Sequence, residues 1–472
     1  MTKTILALTA ALLTCDVSAE VIVTRGRFNS VQVNLNVAGN NIVGDAANEP
    51  SIAVDPTDPS KMAVGWRQFD TITSNFRQAG NAYSTDGGAT WTNNEVLDPG
   101  LFRSDPVLDF DAQGNFYYSS LSAVDSAQMF KSTDGGKTWA TPIEAFGGDK
   151  QWIAVDRSGG IGQGNVYQYW NRQFSCCGLA DFTRSVDGAA TFQSPVSITR
   201  PSTKWGTMSV GPEGTLYLAG SDLSAFRGHL FTKSTNAQDP ARTPTFEVPQ
   251  RVDLGGDTTF GGPVNPGGLL GQTWIATDHS DGASRGNIYI LGSVNPPGAD
   301  PVDVMFVRST DGGETWSEPL RVNDDPTDNG ASQWFGTMSV APNGRIDVIW
   351  NDTRNDPAGP NGVMSEVFYA SSDDGGLTFS AGEPVSPAFN PLIGWPSQNK
   401  IGDYYDMVSD NRGVNLAYSA TFNGEQDLYF LRIDSAVPEP STFLLAAIAM
   451  LGGLMRMPRF RPQGVARFPG DG

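Results

Sequence analysis

One short string recurs along this chain and permits little except short strands joined by tight turns. Ser-Thr-Asp-Gly-Gly-x-Thr-Trp occurs at Ser84–Trp91, Ser132–Trp139 and Ser309–Trp316. Ser372–Phe379 is a fourth copy with Phe in place of Trp, and Ser185–Phe192 a fifth with Ala189 where Gly is usual. Ser234-Thr235-Asn236, followed by Thr245-Phe246, reads as a sixth copy split by an insertion. The Asp carboxylate accepts backbone N–H bonds across the turn, and Gly supplies positive φ. The Trp or Phe begins the next strand and is expected to pack beside its hairpin partner. The acid of this staple is therefore structural. The copies lack the closely spaced oxygen ligands of a calcium loop.

A second repeat, strand–turn–strand, precedes each staple. Its copies are Pro50–Trp66, Pro106–Ser120, Gln151–Trp170, Trp205–Gly220, Thr273–Gly292, Trp334–Trp350 and Gly402–Ser419, with turn signals such as Pro342-Asn343-Gly344 inside them. One unit plus one staple makes four strands, a propeller blade. The seventh unit ends on a third strand, Asp427–Ile433, and lacks a fourth. Ser30–Val37 alternates with period two and is placed to close the ring. The expectation is an all-β, seven-bladed β-propeller closed by an N-terminal strand; six blades is the alternative if one copy is an insertion. With 54 Gly and 31 Pro in 472 residues, long helices are disfavoured throughout.

Both ends read as addresses. Lys3, the apolar run Ile5–Leu13 and Val17-Ser18-Ala19 make residues 1–19 a secretory signal peptide. Residues 20–436 form the propeller domain. Val437-Pro438-Glu439-Pro440-Ser441 is followed by apolar Phe443–Met455 and then Arg456, Arg459 and Arg461. This order over 437–461 resembles the PEP-CTERM sorting signal of Gram-negative bacteria, with 462–472 as a short tail. The resemblance implies export, exosortase as a partner, and a final place at the cell surface or in the extracellular matrix. It confines membrane contact to the transient C-terminal segment.

Composition excludes several function classes. The net charge is −20, and five of the 31 basic residues lie in the two end segments, so the body is more acidic still. Nucleic acid is not expected as a partner. Two His and three Cys cannot build a zinc ribbon or a polyhistidine site. No metal or cofactor is expected. His229 and His279 are far apart, and His279 reads as a solvated turn residue. Cys176 and Cys177 are adjacent, and in an oxidising compartment they form either a vicinal disulfide or an unremarkable pair.

Propeller connections alternate between two faces, which sorts the polar residues. Glu49, Asp105, Asp149, Lys150, Lys204, Gln272, Gln333, Asp403 and Tyr404 precede innermost strands. Arg67, Arg172 and Arg354 follow second strands in three blades. All these positions belong to one face, with Cys176 and Cys177; the staple turns belong to the other. Arg and Asp at strand ends also tie loops together as plain salt bridges. Trp66, Trp170, Trp205, Trp274, Trp334 and Trp350 are blade packing for the most part, with sugar-stacking platforms as the second use.

The staples match the Asp-box, or BNR, repeat. With Trp350–Arg354, Glu366–Ser371 and Gly402-Asp403-Tyr404, they make the chain resemble bacterial sialidase-like BNR proteins. The resemblance implies an arginine clamp of Arg67, Arg172 and Arg354 on a substrate carboxylate, with Lys150 and Lys204 as further binding groups. It implies Tyr404 or Tyr405 as nucleophile, Glu49 or Glu366 as its base, and Asp105 or Asp149 as proton donor, with Asp403 beside them. The Phe/Tyr-Arg-Ile-Pro motif of sialidases is absent, and sialidases have six blades. The function expected is an exported sialidase-like glycoside hydrolase acting on acidic glycans or exopolysaccharide. The alternative is a non-catalytic propeller that binds polysaccharide or protein, and a lyase with Tyr404 or Lys150 as base ranks third.

Overall fold

The computed structural model describes residues 21–122, 125–222 and 228–435, together with Gly464 and Gly470. The expected secretory signal at 1–19 and the sorting segment at 437–461 lie outside the described residues. Residues up to Ile433 form one compact unit.

Seven antiparallel sheets follow one another around a ring, so the chain is a seven-bladed propeller. The inner strands of blades 1 to 7 are Ala46–Val54, Ser104–Phe110, Trp152–Val155, Thr203–Val210, Trp274–Thr277, Gln333–Val340 and Asp406–Asp410. Blades 1, 2, 4 and 6 have four strands in simple order. Blade 3 has three, with only a bridge from Phe182 to Val196 where the fourth would run. Blade 5 gains an extra strand, Asp257–Thr258, paired beyond the inner strand on Val294 and Asn295. The six-bladed alternative is thereby excluded.

Closure comes from the N-terminus. Phe28–Gln32 pairs with Asp427–Asp434 in the register Ser30↔Leu431, Val31↔Phe430 and Gln32↔Tyr429. Val33 N extends the pairing by donating to the Leu428 carbonyl. Ile22–Arg25 adds a fifth strand outside it, and its Arg25 reaches blade 6 through a 2.8 Å ion pair with Glu366.

The staples work as the sequence suggests, with one correction. Asp86, Asp134, Asp187, Asp311 and Asp374 each accept from the backbone N–H and the hydroxyl of the Thr four residues on. In the split copy Asn236 Oδ1 accepts from Thr245 N. Three of the staple aromatics, however, pack against the preceding blade rather than their own hairpin, while Trp139 meets Tyr118 of its own blade at 5.7 Å. Trp91 meets Phe430 of blade 7 at 5.3 Å, Trp316 meets Phe231 of blade 4 at 5.1 Å, and Phe379 meets Phe306 of blade 5 at 5.1 Å. The reason is steric: the second Gly of the staple lies against that same neighbour. A Cβ on Gly313 (φ 89°) would fall 2.3 Å from Phe231. The string is thus an inter-blade lock. Ala189 fills the equivalent place in blade 3 at φ 62°. Ala189→Gly is expected to stabilise the fold by about 1 kcal/mol, and Gly313→Ala to destabilise it by about 2 kcal/mol, both read from denaturant midpoints.

Buried carboxylates set the pH response. Asp45, Asp181 and Asp406 are pushed up to about 7, in each case first by burial. Their contribution favours folding below the unfolded carboxylate pKa of about 4 and is lost as pH rises through their folded values. Melting temperature should therefore fall between about pH 4 and about pH 7. Asp406→Asn should flatten that slope, and an unchanged slope in the variant would remove Asp406 from the account.

Candidate functional site

Four inner strands carry a bulge at their start, marked by register shifts between Asn48 and Ser51, Ser104 and Val107, Lys204 and Thr207, and Trp334 and Thr337. The residue inside each bulge is left-handed: Glu49 (φ 51°), Asp105 (φ 47°), Trp205 (φ 53°) and Phe335 (φ 58°). Lys150, just before the inner strand of blade 3, has φ 55°. Such a backbone costs a non-glycine residue about 1 kcal/mol or more, and bulges re-aim side chains. Here three of the five strained residues are charged, and they meet.

Lys150 Nζ lies 3.3 Å from Glu49 Oε1, 3.7 Å from Asp105 Oδ1 and 2.5 Å from Asp403 Oδ2. These carboxylates come from blades 1, 2 and 7. Lys400 Nζ bridges two of them, at 3.4 Å from Glu49 and 2.5 Å from Asp403. Arg67 closes the inner side, 3.2 Å from Glu49, with its Nε on Asn48 Oδ1 at 2.9 Å. Asn171 Nδ2 holds Asp149 at 3.4 Å, while Asp149 N donates to the Phe174 carbonyl. Glu49 and Arg67 are sealed at 0% and 1% side-chain exposure, whereas Lys150 and Lys400 reach 9% and 12% and form the outer layer.

The four acids do not titrate alike. Burial pushes Glu49 up, more than Arg67, Lys150 and Lys400 pull it down. Burial also raises Asp149, with Asp105 adding to the effect. For Asp105 burial is outweighed by Lys150, Arg67 and Arg77, which hold it below the usual range. For Asp403 burial is outweighed by Lys150, Lys400 and Arg67, and Glu49 hydrogen-bonds to it. Two carboxyls inclined to hold protons, Glu49 and Asp149, thus sit beside two that stay ionised, Asp105 and Asp403.

Under the cluster the ring is plugged. Trp152 makes edge contacts with Tyr404 at 5.6 Å and with Trp274 at 5.2 Å. Beyond it, a cavity of about 490 Å³ is lined by all seven inner strands, with Met208, Met338 and Met407 in its wall and His279 at its rim on the staple face. His279 is exposed, and its ring bonds the Val210 carbonyl. His229 is buried on Thr273 Oγ1, far from the cluster in kind: its pKa is lowered to about 4 by burial.

The structure brings Glu49, Asp105, Asp149, Lys150, Asp403 and Arg67 together, with Tyr404 beneath. Other sequence candidates are placed otherwise. Tyr404 donates to the Pro106 carbonyl at 2.8 Å, and burial holds its hydroxyl well above the ordinary range. Tyr405 is committed to the Ser419 carbonyl, and Glu366 to Arg25 and Asn355. Arg354 pairs with Asp324, Asp325 and Asp352 and lies over Phe368. It shares no partner with Arg67. Arg172 starts the short 3₁₀ turn Arg172–Phe174 in a blade 3 loop. Three arginines around one set of partners are not what the fold assembles, because each follows its own blade's second strand to a different side of the ring. Lys204 Nζ sits 3.5 Å over the Trp205 ring, its pKa lowered to about 8 by burial. Trp66, Trp170, Trp334 and Trp350 are fully buried packing, and Trp205 stays partly open. Cys176 and Cys177 are joined in a vicinal disulfide.

Sequence reasoning missed Lys400 and Arg77. Arg77 bonds Ser104 Oγ at 3.0 Å at the edge of the cluster, its pKa lowered to about 10 by burial and by Arg67. The available signal for the bulges was a charged or aromatic residue followed by Pro or Gly at strand entry: Glu49-Pro50, Asp105-Pro106, Trp205-Gly206 and Phe335-Gly336.

Two family models match. Residues 82–93 and 307–318 match the BNR/Asp-box repeat, and residues 436–459 match the PEP-CTERM protein-sorting motif. The chain is therefore an Asp-box propeller carrying an export-sorting motif. No curated protein matches it in sequence. Among solved structures it is similar to an ulvan lyase, a polysaccharide lyase, at 12% identity over 86% of this chain and 98% of that one, TM-score 0.47. It is similar to the Trypanosoma rangeli sialidase at 13% identity over 92% of this chain and 61% of that one, TM-score 0.43. The phage phi92 endosialidase shares 11% identity over 93% and 71%, TM-score 0.46. Likeness at this level leaves every residue role to this chain's own geometry.

Proposed function

We propose that the chain is an exported propeller that acts on acidic glycans at the mouth of its ring. The supporting observation is the convergence of Glu49, Asp105 and Asp403, from three blades, on the ammonium of Lys150, with Lys400 beside it. Ring packing does not need these charges; buried ion pairs are often no more stabilising than apolar residues of the same volume. Backbone strain is also spent on presenting them. An anionic sugar arriving from solvent meets Lys150 and Lys400 first, in a chain otherwise strongly negative.

The chemistry this arrangement supports is acid–base. Glu49, raised by burial, gives its proton to the leaving glycosidic oxygen, and Asp105 or Asp403, held ionised, takes a proton from the water that forms the new bond to the anomeric carbon. The sialidase pattern of a tyrosine nucleophile is less well served, since Tyr404 is engaged with Pro106 and lacks a direct bond to Glu49. Hydrolysis of an acidic polysaccharide by two carboxylates is therefore the enzymatic form of the reading. Processing near Pro438-Glu439-Pro440 after export, with the mature chain at the cell surface or in the matrix, completes it.

The test is product release from fluorogenic sialosides and a panel of acidic polysaccharides. Glu49→Gln should lose turnover while retaining binding. The non-catalytic reading is favoured by one observation, the 0–12% exposure of the mouth groups. It predicts saturable binding with no product from any substrate. Absence of both binding and product across the panel would remove the glycan reading altogether.

A further inference from the structure

Two pieces of the mouth's rim, on blades 3 and 4, carry exposed apolar side chains beside the charged cluster. The blade 3 loop carries Phe174 at 60% exposure and Leu179 at 66%, flanking the Cys176–Cys177 disulfide. A disulfide between neighbours in sequence closes a small uncharged ring whose only polar groups are the Cys176 carbonyl and the Cys177 N–H, set in the turn where Ala180 N donates to the Cys177 carbonyl. On the next blade Trp205 stacks on Phe260 at 6.1 Å with an interplanar angle of 21°, and Phe260 is 59% exposed.

Both pieces are fastened to the charged cluster. Asp149 N donates to the Phe174 carbonyl at 2.8 Å, Cys176 N to the Gly147 carbonyl at 3.3 Å, and Gly148 bridges to Ser175. The disulfide loop is therefore laid along the segment that delivers Lys150. On the other side Lys204 lies over Trp205 and feels the charge of Asp149. The charged cluster is thus tied by backbone bonds to an apolar lip over blades 3 and 4.

We propose that this lip is a subsite for the sugar rings that follow the anionic sugar held at the mouth, so that the polymer leaves over blades 3 and 4. This rests on the glycan reading and adds a direction and a length preference to it. A pyranose ring has an apolar C–H face and a polar rim. Phe174, the disulfide and the Trp205–Phe260 pair offer apolar surface on adjacent blades for that face. The position of the disulfide explains why an exported chain with so few cysteines keeps two side by side.

The experiment compares a uronate disaccharide with a long oligouronate, by calorimetry, on the oxidised protein. Two independent variants are used, Cys176→Ser with Cys177→Ser, and Phe260→Ala, each checked for an unchanged melting temperature. The expected result is a loss of about ten-fold in affinity for the long chain in each variant, with disaccharide affinity unchanged. Should the cysteine variant melt early, Phe260→Ala carries the test alone. Equal affinity of the wild-type protein for the two ligands, or equal losses on both in the variants, overturns the subsite while leaving the mouth intact. No binding of either ligand by the wild-type protein overturns both.

Discussion

Removal of residues 21–32 is expected to abolish cooperative folding. The loss includes the ladder from Ser30, Val31 and Gln32 to the last strand and the Arg25–Glu366 ion pair. It uncovers Phe430, Leu431 and Tyr429, which are almost wholly buried. Burying one large apolar side chain is worth about 1.5–3 kcal/mol, so several of them approach the whole stability of a domain, about 5–15 kcal/mol. The bare last strand is also an open edge, a template for aggregation. Removing residues 21–25 alone takes away only the outermost strand and should shift the melting temperature modestly. Circular dichroism melts and light scattering of the two truncations check this. A cooperative melt near the wild-type temperature for the longer truncation would show that the ring closes without its clasp.

Lys150→Met is the second variant of large effect. It leaves Glu49, Asp105 and Asp403 sharing Arg67, Lys400 and Arg77 in a sealed space. Breaking a buried ionic arrangement by removing one partner costs roughly 3–5 kcal/mol, because the charges left behind are uncompensated. The sign of the pH response follows. Without the ammonium, Asp105 and Asp403 lose the first cause of their lowering and take up protons more readily in the folded state. The stability gap to the wild-type protein should therefore narrow as pH falls and widen toward neutrality. Acidic-glycan binding should be lost at the same time. Denaturant titrations across that range decide the matter. A gap independent of pH would mean that Lys150 acts through packing and not through charge.

The fold was legible because its determinants are local and repeated. Each Asp, Gly and aromatic of the staple acts within a few residues of itself, and seven similar units expose the pattern even where Ala189 or the insertion after Asn236 blurs it. The partners of three staple aromatics were not legible, since Phe430, Phe231 and Phe306 belong to preceding blades and are distant in sequence. The mouth was half legible. Counting strands places Glu49, Asp105, Asp149, Lys150 and Asp403 on one face, which the ring then draws together. The same counting could not say that Arg354 would be taken by Asp324 and Asp325, or that Lys400 would fold back on Asp403. Those outcomes depend on loop paths, which no short-range pattern encodes. Left-handed φ at Glu49, Asp105 and Lys150 was likewise hidden, because strain is a property of the assembled ring.

The clasp has a consequence for the order of events during export. The segment around Ser30 is made early, yet its partner around Leu431 is made about 400 residues later. Blades 1 to 6 are built from neighbours in sequence and can form as the chain appears. The ring itself waits for a contact that spans almost the whole propeller domain, and such long-range closure is slow. The sorting motif at 436–459 follows immediately. By the time that motif is outside the ribosome, every residue needed for closure has been made, so sorting and completion of the ring are timed by the same stretch of chain.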